Sequence, residues 1–271
     1  MPIHDRLAYP MMKPVSHRNG KLGVFWSLAF ALAWLLTIPP ALAQLGMIER
    51  TPIPAGLGLL IGLAPALAAW AAARRGGQQD FWRSMFRRPS HWWLSVVAVL
   101  LPPALLGAAY GLSLYRGTVI ELDLGPHLFA FAMLWLVLAF TEEVGWRAFA
   151  FPRLARKYGF WLGSLILGLV WCVWHYPRLL SSPHLGTFAR AAPLIALFSL
   201  QIVISNFILC WLYVRSKKSV LVPTMFHASF NVVATAYFFA ATDLVITGSL
   251  ALVALAIAIF DKPTKLLEAN P

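Results

Sequence analysis

Two adjacent acidic residues inside an apolar stretch, Glu142 and Glu143, most constrain how this chain can fold. They directly follow residues 127–140, an almost unbroken apolar run of the kind that spans a bilayer as a helix. A carboxylate at that depth is costly unless it is paired, protonated or hydrated, so an acidic pair there indicates a functional site. Arg147 follows Glu143 by four residues, the spacing at which two side chains on a helix meet.

The composition indicates a membrane protein. Of the 271 residues, 60% are hydrophobic and 12% are charged, which is unlike a soluble globular domain. The apolar stretches run well beyond ten residues without alternation, which favours helices over a β-barrel. The net charge of +12 lies in clusters between the apolar segments, a pattern typical of orientation signals and lipid headgroup contact. We therefore expect an all-α polytopic membrane protein whose partner is the lipid bilayer and not a nucleic acid.

Eight segments are long and apolar enough to be transmembrane helices. We expect them to enclose an intramembrane polar cavity within a single membrane domain, residues 1–271. A basic cytoplasmic segment, residues 1–21, precedes the first helix, and residues 127–240 contain the spans whose polar residues are discussed below. The predicted spans are 22–46, 55–73, 92–115, 127–150, 160–177, 191–214, 219–240 and 243–260.

The distribution of basic residues predicts the orientation. With the N-terminus inside, 17 Lys and Arg side chains fall in the cytoplasmic stretches and four in the outer ones, and such an excess marks the cytoplasmic side. Both termini are therefore predicted to be cytoplasmic, in an inner or plasma membrane, and we expect the cavity to open to the cytoplasm. Residues 80–93 mix arginines with aromatic side chains, which fits either a short interfacial helix or a basic loop.

Polar residues that are costly in a membrane also occur in two later spans. Trp171 and His175 lie four apart in one span and His227 and Asn231 in another, so each pair shares a helix face. With the acidic pair and its arginine, these residues exceed what helix packing needs. The milder polar residues of a third span are interpreted as interhelical hydrogen-bonding groups; they are Gln201, Ser205 and Asn206.

The residue types suit the activation of a water molecule. A carboxylate in a poorly hydrated pocket can serve as a general base. Arg147 is expected to hold Glu143 ionised as a structural pair, whereas Glu142 is rotated by about 100° on the helix and faces elsewhere. Glu142 is therefore the predicted working carboxylate. A nearby imidazole can share the proton of the water, and His227 with Asn231 offers two donors for an oxyanion.

The same side chains are also compatible with a metal site. Glu142, His175 and His227 would make a two-histidine, one-carboxylate zinc set with water in the fourth position. The chain has no His-Glu-x-x-His motif. We predict a site without a cofactor and keep zinc as the alternative.

Two other functions use these residues. Buried Glu and His side chains also form proton relays, so a proton-coupled transporter or channel would show pH-dependent flux and no peptide cleavage. The chain lacks the paired repeats and matching broken helices of many transporters. A non-catalytic membrane scaffold would bind peptides in the cavity and leave them uncut.

Three motifs of the chain resemble those of a known membrane protease family. Glu142-Glu143-Val-Gly-Trp-Arg147 matches the Glu-Glu-x-x-x-Arg motif of the CAAX-protease and bacteriocin-processing endopeptidases. His227-x-x-x-Asn231 matches the third motif of that family. Order and spacing agree, and three such motifs in one polytopic chain are specific to the family.

The second motif of the family is usually Phe-x-x-x-His. Trp171-x-x-x-His175 matches it with Trp in place of Phe, a departure that changes the pocket wall. The resemblance covers roughly residues 127–240 and implies an eight-helix intramembrane endopeptidase that activates water with a glutamate, in some members on prenylated peptides. By motif position, Glu142 would activate the water with help from His175. The oxyanion side would be His227 and Asn231, and the supporting residues would be Glu143, Arg147 and Trp171.

The depths of these residues in the membrane raise a difficulty. Counted at about 1.5 Å per residue, Glu142 and His227 fall in the cytoplasmic half, whereas His175 falls near the far end of its span. A direct cluster therefore needs that span to be tilted, displaced or shorter than drawn. Glycines at positions 159, 163 and 168 favour an irregular or closely packed helix there.

Overall fold

The computed structural model describes residues 19–54, 56–74, 79–117, 125–182, 188–236, 242–261 and 263. The segment 1–18 lies outside the described residues, as do Arg75, Lys262 and Lys265, which entered the count for the orientation. The predicted orientation, the cytoplasmic N-terminal segment and the single-domain organisation therefore stay predictions.

The described residues are built from helices and contain no β-strand. A 3-10 segment, Leu57–Leu63, precedes the second helix, and a π-helical segment, Val144–Ala150, joins the fifth helix to the sixth. Short π-helical segments are frequent at functional sites, and this one begins directly after the acidic pair. The helices are α1 (Asn19–Gln44), α2 (Ala64–Ala73), α3 (Gln79–Met85), α4 (Trp92–Tyr115), α5 (His127–Glu143), α6 (Phe151–Leu180), α7 (Phe188–Arg215), α8 (Leu221–Ala236) and α9 (Thr242–Phe260).

The predicted architecture, an all-α polytopic membrane protein, is confirmed. Each predicted span contains a helix, as expected where every backbone polar group must be bonded within the protein. Residues 80–93 begin with the short helix α3, and its interfacial position stays a prediction. The helical stretches long and apolar enough to cross a membrane in the described part of the chain are Lys21–Gln44, Trp92–Tyr115, His127–Leu180 and Ala192–Arg215, and the shorter apolar ones are Leu57–Ala73 and Leu244–Phe260.

The longest helical stretch consists of two antiparallel arms rather than one straight helix. Gly159 adopts φ 76° and ψ 176°, which is accessible to glycine and strained for other residues. Across this kink, the rings of Phe151 and Phe160 lie 5.8 Å apart, and those of Trp146 and Trp174 lie 5.5 Å apart. These contacts pair residues before the kink with residues after it, so the chain reverses direction at Gly159.

The reversal removes the difficulty over depth. Glu142 stands 17 residues before Gly159, and His175 stands 16 residues after it. Both therefore lie about 25 Å from the turn along their arms. The spans predicted from the sequence ended the fourth helix at residue 150 and left a loop before residue 160. That depth estimate was wrong because the first arm continues as helix up to the turn.

Small residues and aromatic rings pack the helices around this hairpin. Gly145 lies so close to α2 that a Cβ atom there would come within 2.3 Å of Pro65 Cβ. Small residues at such crossings let backbones approach, which favours helix association in a bilayer. Trp174 Nε1 donates a hydrogen bond to the carbonyl oxygen of Ala29 (3.0 Å), which ties α6 to α1. The hairpin is therefore held against both of the first two helices.

The bundle has one end that is rich in basic residues. Arg87 Nη1 donates a hydrogen bond to the carbonyl oxygen of Lys217 (2.9 Å), and Ser90 Oγ donates to that of Arg215 (3.1 Å). The chain after α3 and the connection between α7 and α8 therefore lie side by side. We call this the basic end of the bundle.

Candidate active site

A cavity of about 250 Å³ lies among the 3-10 segment, α5, α6, α7 and α8. Much of its wall is aliphatic or aromatic, with Leu138, Phe198, Ile202, Phe226 and Phe230 among the contributors. The five predicted residues that share this cavity are Glu142, Trp171, His175, His227 and Asn231. The helices therefore enclose a cavity that these polar residues line, and its wall is more apolar than expected. Its depth in the membrane and the catalytic roles of these residues stay predictions.

The cavity extends to the end of the bundle opposite the basic end. Its lining includes Gly58 at the start of the 3-10 segment, Arg178 in the last turn of α6 and Ala234 near the end of α8. With the basic end on the cytoplasmic side, as the charge count predicts, this part of the cavity would lie towards the outer side. The orientation and the direction in which the cavity opens both stay predictions.

Glu143 is the centre of a buried ionic network. Its Oε1 accepts hydrogen bonds from Arg147 Nη1 (3.0 Å) and His227 Nδ1 (2.8 Å), and neither Glu143 nor Arg147 has any exposed surface. Arg147 Nη2 donates to Asn206 Oδ1 (3.0 Å), and Asn206 Nδ2 donates to the carbonyl oxygen of Ser164 (2.7 Å). The ion pair predicted from the four-residue spacing is present, and Asn206 does bond between helices.

Glu142 faces away from this network and lines the cavity. Its Oε2 accepts a hydrogen bond from Trp171 Nε1 (3.2 Å), and the residue is 6% exposed. Gly62 of the 3-10 segment lies against it, since a Cβ atom at that glycine would be 3.5 Å from Glu142 Oε1. One carboxylate is thus paired within the protein and the other faces the cavity, which agrees with the rotation expected on a helix.

Trp171 contacts both parts of the site. Its ring centre lies 4.6 Å from the guanidinium carbon of Arg147, 5.5 Å from the ring of His175 and 5.3 Å from the ring of His227. A phenylalanine here could retain these ring contacts but has no N–H to donate to Glu142. The departure from the usual motif therefore adds a hydrogen-bond donor to the cavity-facing carboxylate.

Hydrogen bonds fix the tautomers of both histidines. His175 Nδ1 lies 2.9 Å from the carbonyl oxygen of Trp171, which only accepts, so Nδ1 carries the proton and Nε2 is free in the neutral ring. His227 Nδ1 likewise donates to the Glu143 carboxylate. The predicted pairing of His227 with Asn231 changes in one respect, because His227 Nε2 donates only when the ring is protonated. The Asn231 amide donates in either state.

Sequence reasoning gave other roles to three polar residues of the cavity wall. Gln201 Nε2 and Ser205 Oγ are buried and have no hydrogen-bond partner among the described residues. Unpaired buried polar atoms on a cavity wall are suited to bind a water molecule or a ligand. The four-residue spacing of Gln201 and Ser205 was the feature of the sequence that could have placed both on one face of the helix. Arg178 also lines the cavity, although the sequence suggested only an outer orientation charge.

The donor groups of the site are not arranged as metal ligands. Within the described ranges, no group of three or more His, Cys, Asp or Glu side chains is placed to hold a metal ion. His175 and His227 each direct Nδ1 to a protein acceptor, and Glu142 is held by Trp171. Because these bonds leave Nε2 of each histidine available, they do not themselves exclude a zinc ion, and the zinc set of Glu142, His175 and His227 stays the alternative prediction.

Comparison with known proteins supports the resemblance that the motifs indicated. Residues 124–233 match a family model described as type II CAAX prenyl endopeptidase, Rce1-like. A curated protein of Methanococcus maripaludis, CAAX prenyl protease 2, is 30% identical over 177 residues, which cover 62% of this chain. Both matches support a CAAX protease family for this chain. The alignment spans 64% of the length of that relative. The CAAX-protease match extends from just before α5 into α8 and so contains all three motifs.

Proposed function

We propose that this protein is an intramembrane endopeptidase that hydrolyses membrane-associated peptides or proteins with water activated by Glu142. The observation that carries the proposal is the position of Glu142, which lies outside the buried ion pair and faces a largely apolar cavity beside two histidines. The name of the curated relative, a prenyl protease, supports lipidated peptides as the substrate class. The membrane concerned is an inner or plasma membrane.

The first step is attack of water on the scissile carbonyl carbon. The Glu142 carboxylate accepts one proton from the water while the water oxygen bonds to that carbon. The carbonyl oxygen becomes an oxyanion. Asn231 donates a hydrogen bond to it from the cavity wall, and a protonated His227, stabilised by Glu143, supplies a second donor.

The second step is loss of the amine. The carbon–nitrogen bond of the peptide breaks, and the proton held by Glu142 is transferred to the leaving nitrogen with the help of His175 Nε2. The collapsing intermediate yields a carboxylic acid and an amine; the acid then gives its proton, the second one from the water, to the amine, so the products are a carboxylate and an ammonium and Glu142 returns to its starting state. Because Nδ1 of His175 is held by the carbonyl oxygen of Trp171, the ring presents Nε2 in a constant orientation throughout.

The apolar wall and the unpaired polar atoms suit a peptide in the cavity. Aliphatic and aromatic residues can accept apolar side chains of the substrate. The unpaired Gln201 Nε2 and Ser205 Oγ can form hydrogen bonds with the main chain of the peptide. The main-chain polar groups of a peptide need such partners when they leave water. The apolar wall and the polar atoms of the cavity therefore suit a substrate with apolar side chains and a polar backbone.

A cleavage assay tests this function. The purified protein, in detergent, is incubated with fluorogenic membrane-anchored peptides that differ only in the presence of a prenyl group, with and without a zinc chelator. We expect peptide hydrolysis that survives the chelator and is faster with the lipid. Loss of hydrolysis in chelator with recovery on addition of zinc would support the metal alternative. Binding without cleavage would favour the scaffold, and pH-dependent flux without cleavage would favour the transporter.

The hydrogen bond from Trp171 gives a more specific prediction. The Trp171→Phe variant is expected to lower kcat about 10-fold with little change in KM, because a hydrogen bond to a charged group is lost while the ring contacts remain. Trp174→Phe is the matched control, since its indole bonds to the Ala29 carbonyl instead. That control should lower the unfolding midpoint and leave kcat unchanged. Equal kcat in Trp171→Phe and wild type would show that the indole does not orient Glu142.

A further inference from the structure

The basic end of the bundle carries a charged surface that the proposed chemistry leaves unused. Its exposed cations are Arg83 of α3, Arg88 in the chain after α3 and Lys217 between α7 and α8. We call these three residues the basic surface. Arg87 Nη1 donates a hydrogen bond to the carbonyl oxygen of Lys217 (2.9 Å), and Ser219 Oγ donates to that of Arg87 (2.6 Å). These bonds hold together two segments that are distant in the sequence, so the three cations share one region of the protein surface.

The basic surface has no counterion from the protein among the side chains that the structure describes. The ion pairs within the described ranges include neither arginine of this surface nor Lys217. Asp261 lies at the same end of the bundle, but its carboxylate pairs with Arg215 (3.5 Å). Like charges that stand together without a counterion attract an anion. A guanidinium group matches a phosphate group with two parallel hydrogen bonds, so a phosphate is the anion that suits this surface best.

A strained turn fixes the lysine of the basic surface. Lys217 and Lys218 adopt φ 57° and φ 65°, in the left-handed region that asparagine or glycine occupies more readily than lysine. The main-chain nitrogens of these two residues donate to the carbonyl oxygens of Val214 and Tyr213 (3.1 and 2.8 Å). Residues in such conformations are frequent where a protein holds a ligand. The turn therefore presents Lys217 at a constant place beside the chain after α3.

The level of the basic surface in the bundle indicates a lipid as the source of the phosphate. α4 begins at Trp92 and α7 ends at Arg215, and both helices belong to stretches long and apolar enough to cross a membrane. The basic surface lies just beyond these two helix ends, where the headgroups of a bilayer would lie. Phe86 and Trp92, which flank Arg88 along the chain, are 79% and 78% exposed. Exposed aromatic rings among cations are typical of a surface that contacts lipid.

We propose that the basic surface binds the phosphate group of an anionic phospholipid, with Phe86 and Trp92 against its acyl chains. Arg83 and Arg88 donate hydrogen bonds to the phosphate oxygens, and the ammonium group of Lys217 neutralises the remaining charge. This binding does not depend on the proposed peptidase activity. The bound lipid links α3 to the connection that leads into α8, so it is expected to raise the unfolding midpoint of the protein.

Lipid binding to the purified protein tests this inference. The delipidated protein, in neutral detergent, is titrated into phosphatidylglycerol or phosphatidylcholine labelled on an acyl chain, and fluorescence anisotropy gives each Kd. We expect a Kd about 100-fold lower for phosphatidylglycerol, at about 5-fold for each basic side chain. Combining Arg88→Gln with Lys217→Asn should raise that Kd about 25-fold and leave the Kd for phosphatidylcholine unchanged. Because asparagine tolerates the positive φ at this position, the unfolding midpoint without lipid should match that of wild type.

The matched control removes two charges at the opposite end of the bundle. Arg50→Gln combined with Arg116→Gln changes two exposed arginines that follow α1 and α4, and it should retain the preference for phosphatidylglycerol. Equal Kd values for the two lipids with wild type would overturn the inference. So would an equal loss of phosphatidylglycerol binding in both double variants, because net charge would then explain the effect. Displacement of the lipid at constant ionic strength would also overturn it: displacement by inorganic phosphate would indicate a site for soluble phosphate, and displacement by an acidic peptide would indicate a site for an acidic protein.

Discussion

Replacement of Glu142 by Gln is expected to lower kcat by about 10²–10⁴-fold, the range for a lost general base. Glutamine has nearly the shape of glutamate, and its amide oxygen can still accept the hydrogen bond from Trp171. The helical fold and the thermal unfolding midpoint should therefore be unchanged. Steady-state cleavage of a lipidated fluorogenic peptide, together with unfolding in detergent, measures both quantities.

The control for Glu142→Gln is the Glu143→Gln variant. Glu143→Gln removes the charge that faces Arg147 and His227, so the unfolding midpoint should fall, in contrast to Glu142→Gln. Normal turnover by Glu142→Gln would contradict the assignment of the base. A fall in stability with Glu142→Gln as large as that with Glu143→Gln would contradict the separation of roles between the two carboxylates.

The second large effect is expected on stability. Arg147→Met should lower the free energy of unfolding by about 3–5 kcal/mol, the cost of breaking a buried ion pair by removing one partner. The variant leaves Glu143 with His227 as its remaining partner and removes the donor to Asn206 Oδ1. Methionine fills much of the volume and retains contact with Trp171, so the loss reports mainly on charge. Denaturant-induced unfolding in detergent measures it.

A double variant tests whether the loss belongs to the pair. Combining Arg147→Met with Glu143→Gln removes both charges, and the destabilisation should be well below the sum of the two single effects. Simple additivity would mean that the two side chains act independently. An Arg147→Met protein as stable as wild type would contradict the buried network altogether.

Local features of this fold were accessible from the sequence because they depend on neighbours along one helix. The span 92–115 coincides with α4, Trp92–Tyr115. The pairing of Glu143 with Arg147 followed from their four-residue spacing, and the different direction of Glu142 followed from the rotation between adjacent residues. The motif resemblance likewise led to the family that the comparisons support.

Contacts between helices were not accessible, because they depend on how the chain turns and packs. The φ of Gly159 reverses the chain and brings His175 to the depth of Glu142, and no spacing rule contains that angle. Similarly, His227 uses Nδ1 on Glu143, and Trp171 reaches across from α6 to Glu142. The place of Arg178 on the cavity wall follows from the same hairpin. The sequence therefore suggested only an orientation charge at this position.

The central claim is that Glu142 activates a water molecule and does not itself attack the substrate. A single-turnover reaction in ¹⁸O-labelled water, with enzyme in excess over peptide, tests it most directly. Attack by water predicts one ¹⁸O atom in every newly formed carboxylate of the first turnover, detected by mass spectrometry. Attack by the Glu142 carboxylate would form a mixed anhydride, and water that opens it at the Glu142 carbonyl would leave an unlabelled Glu142 oxygen in the product. Unlabelled product in the first turnover would therefore contradict the account.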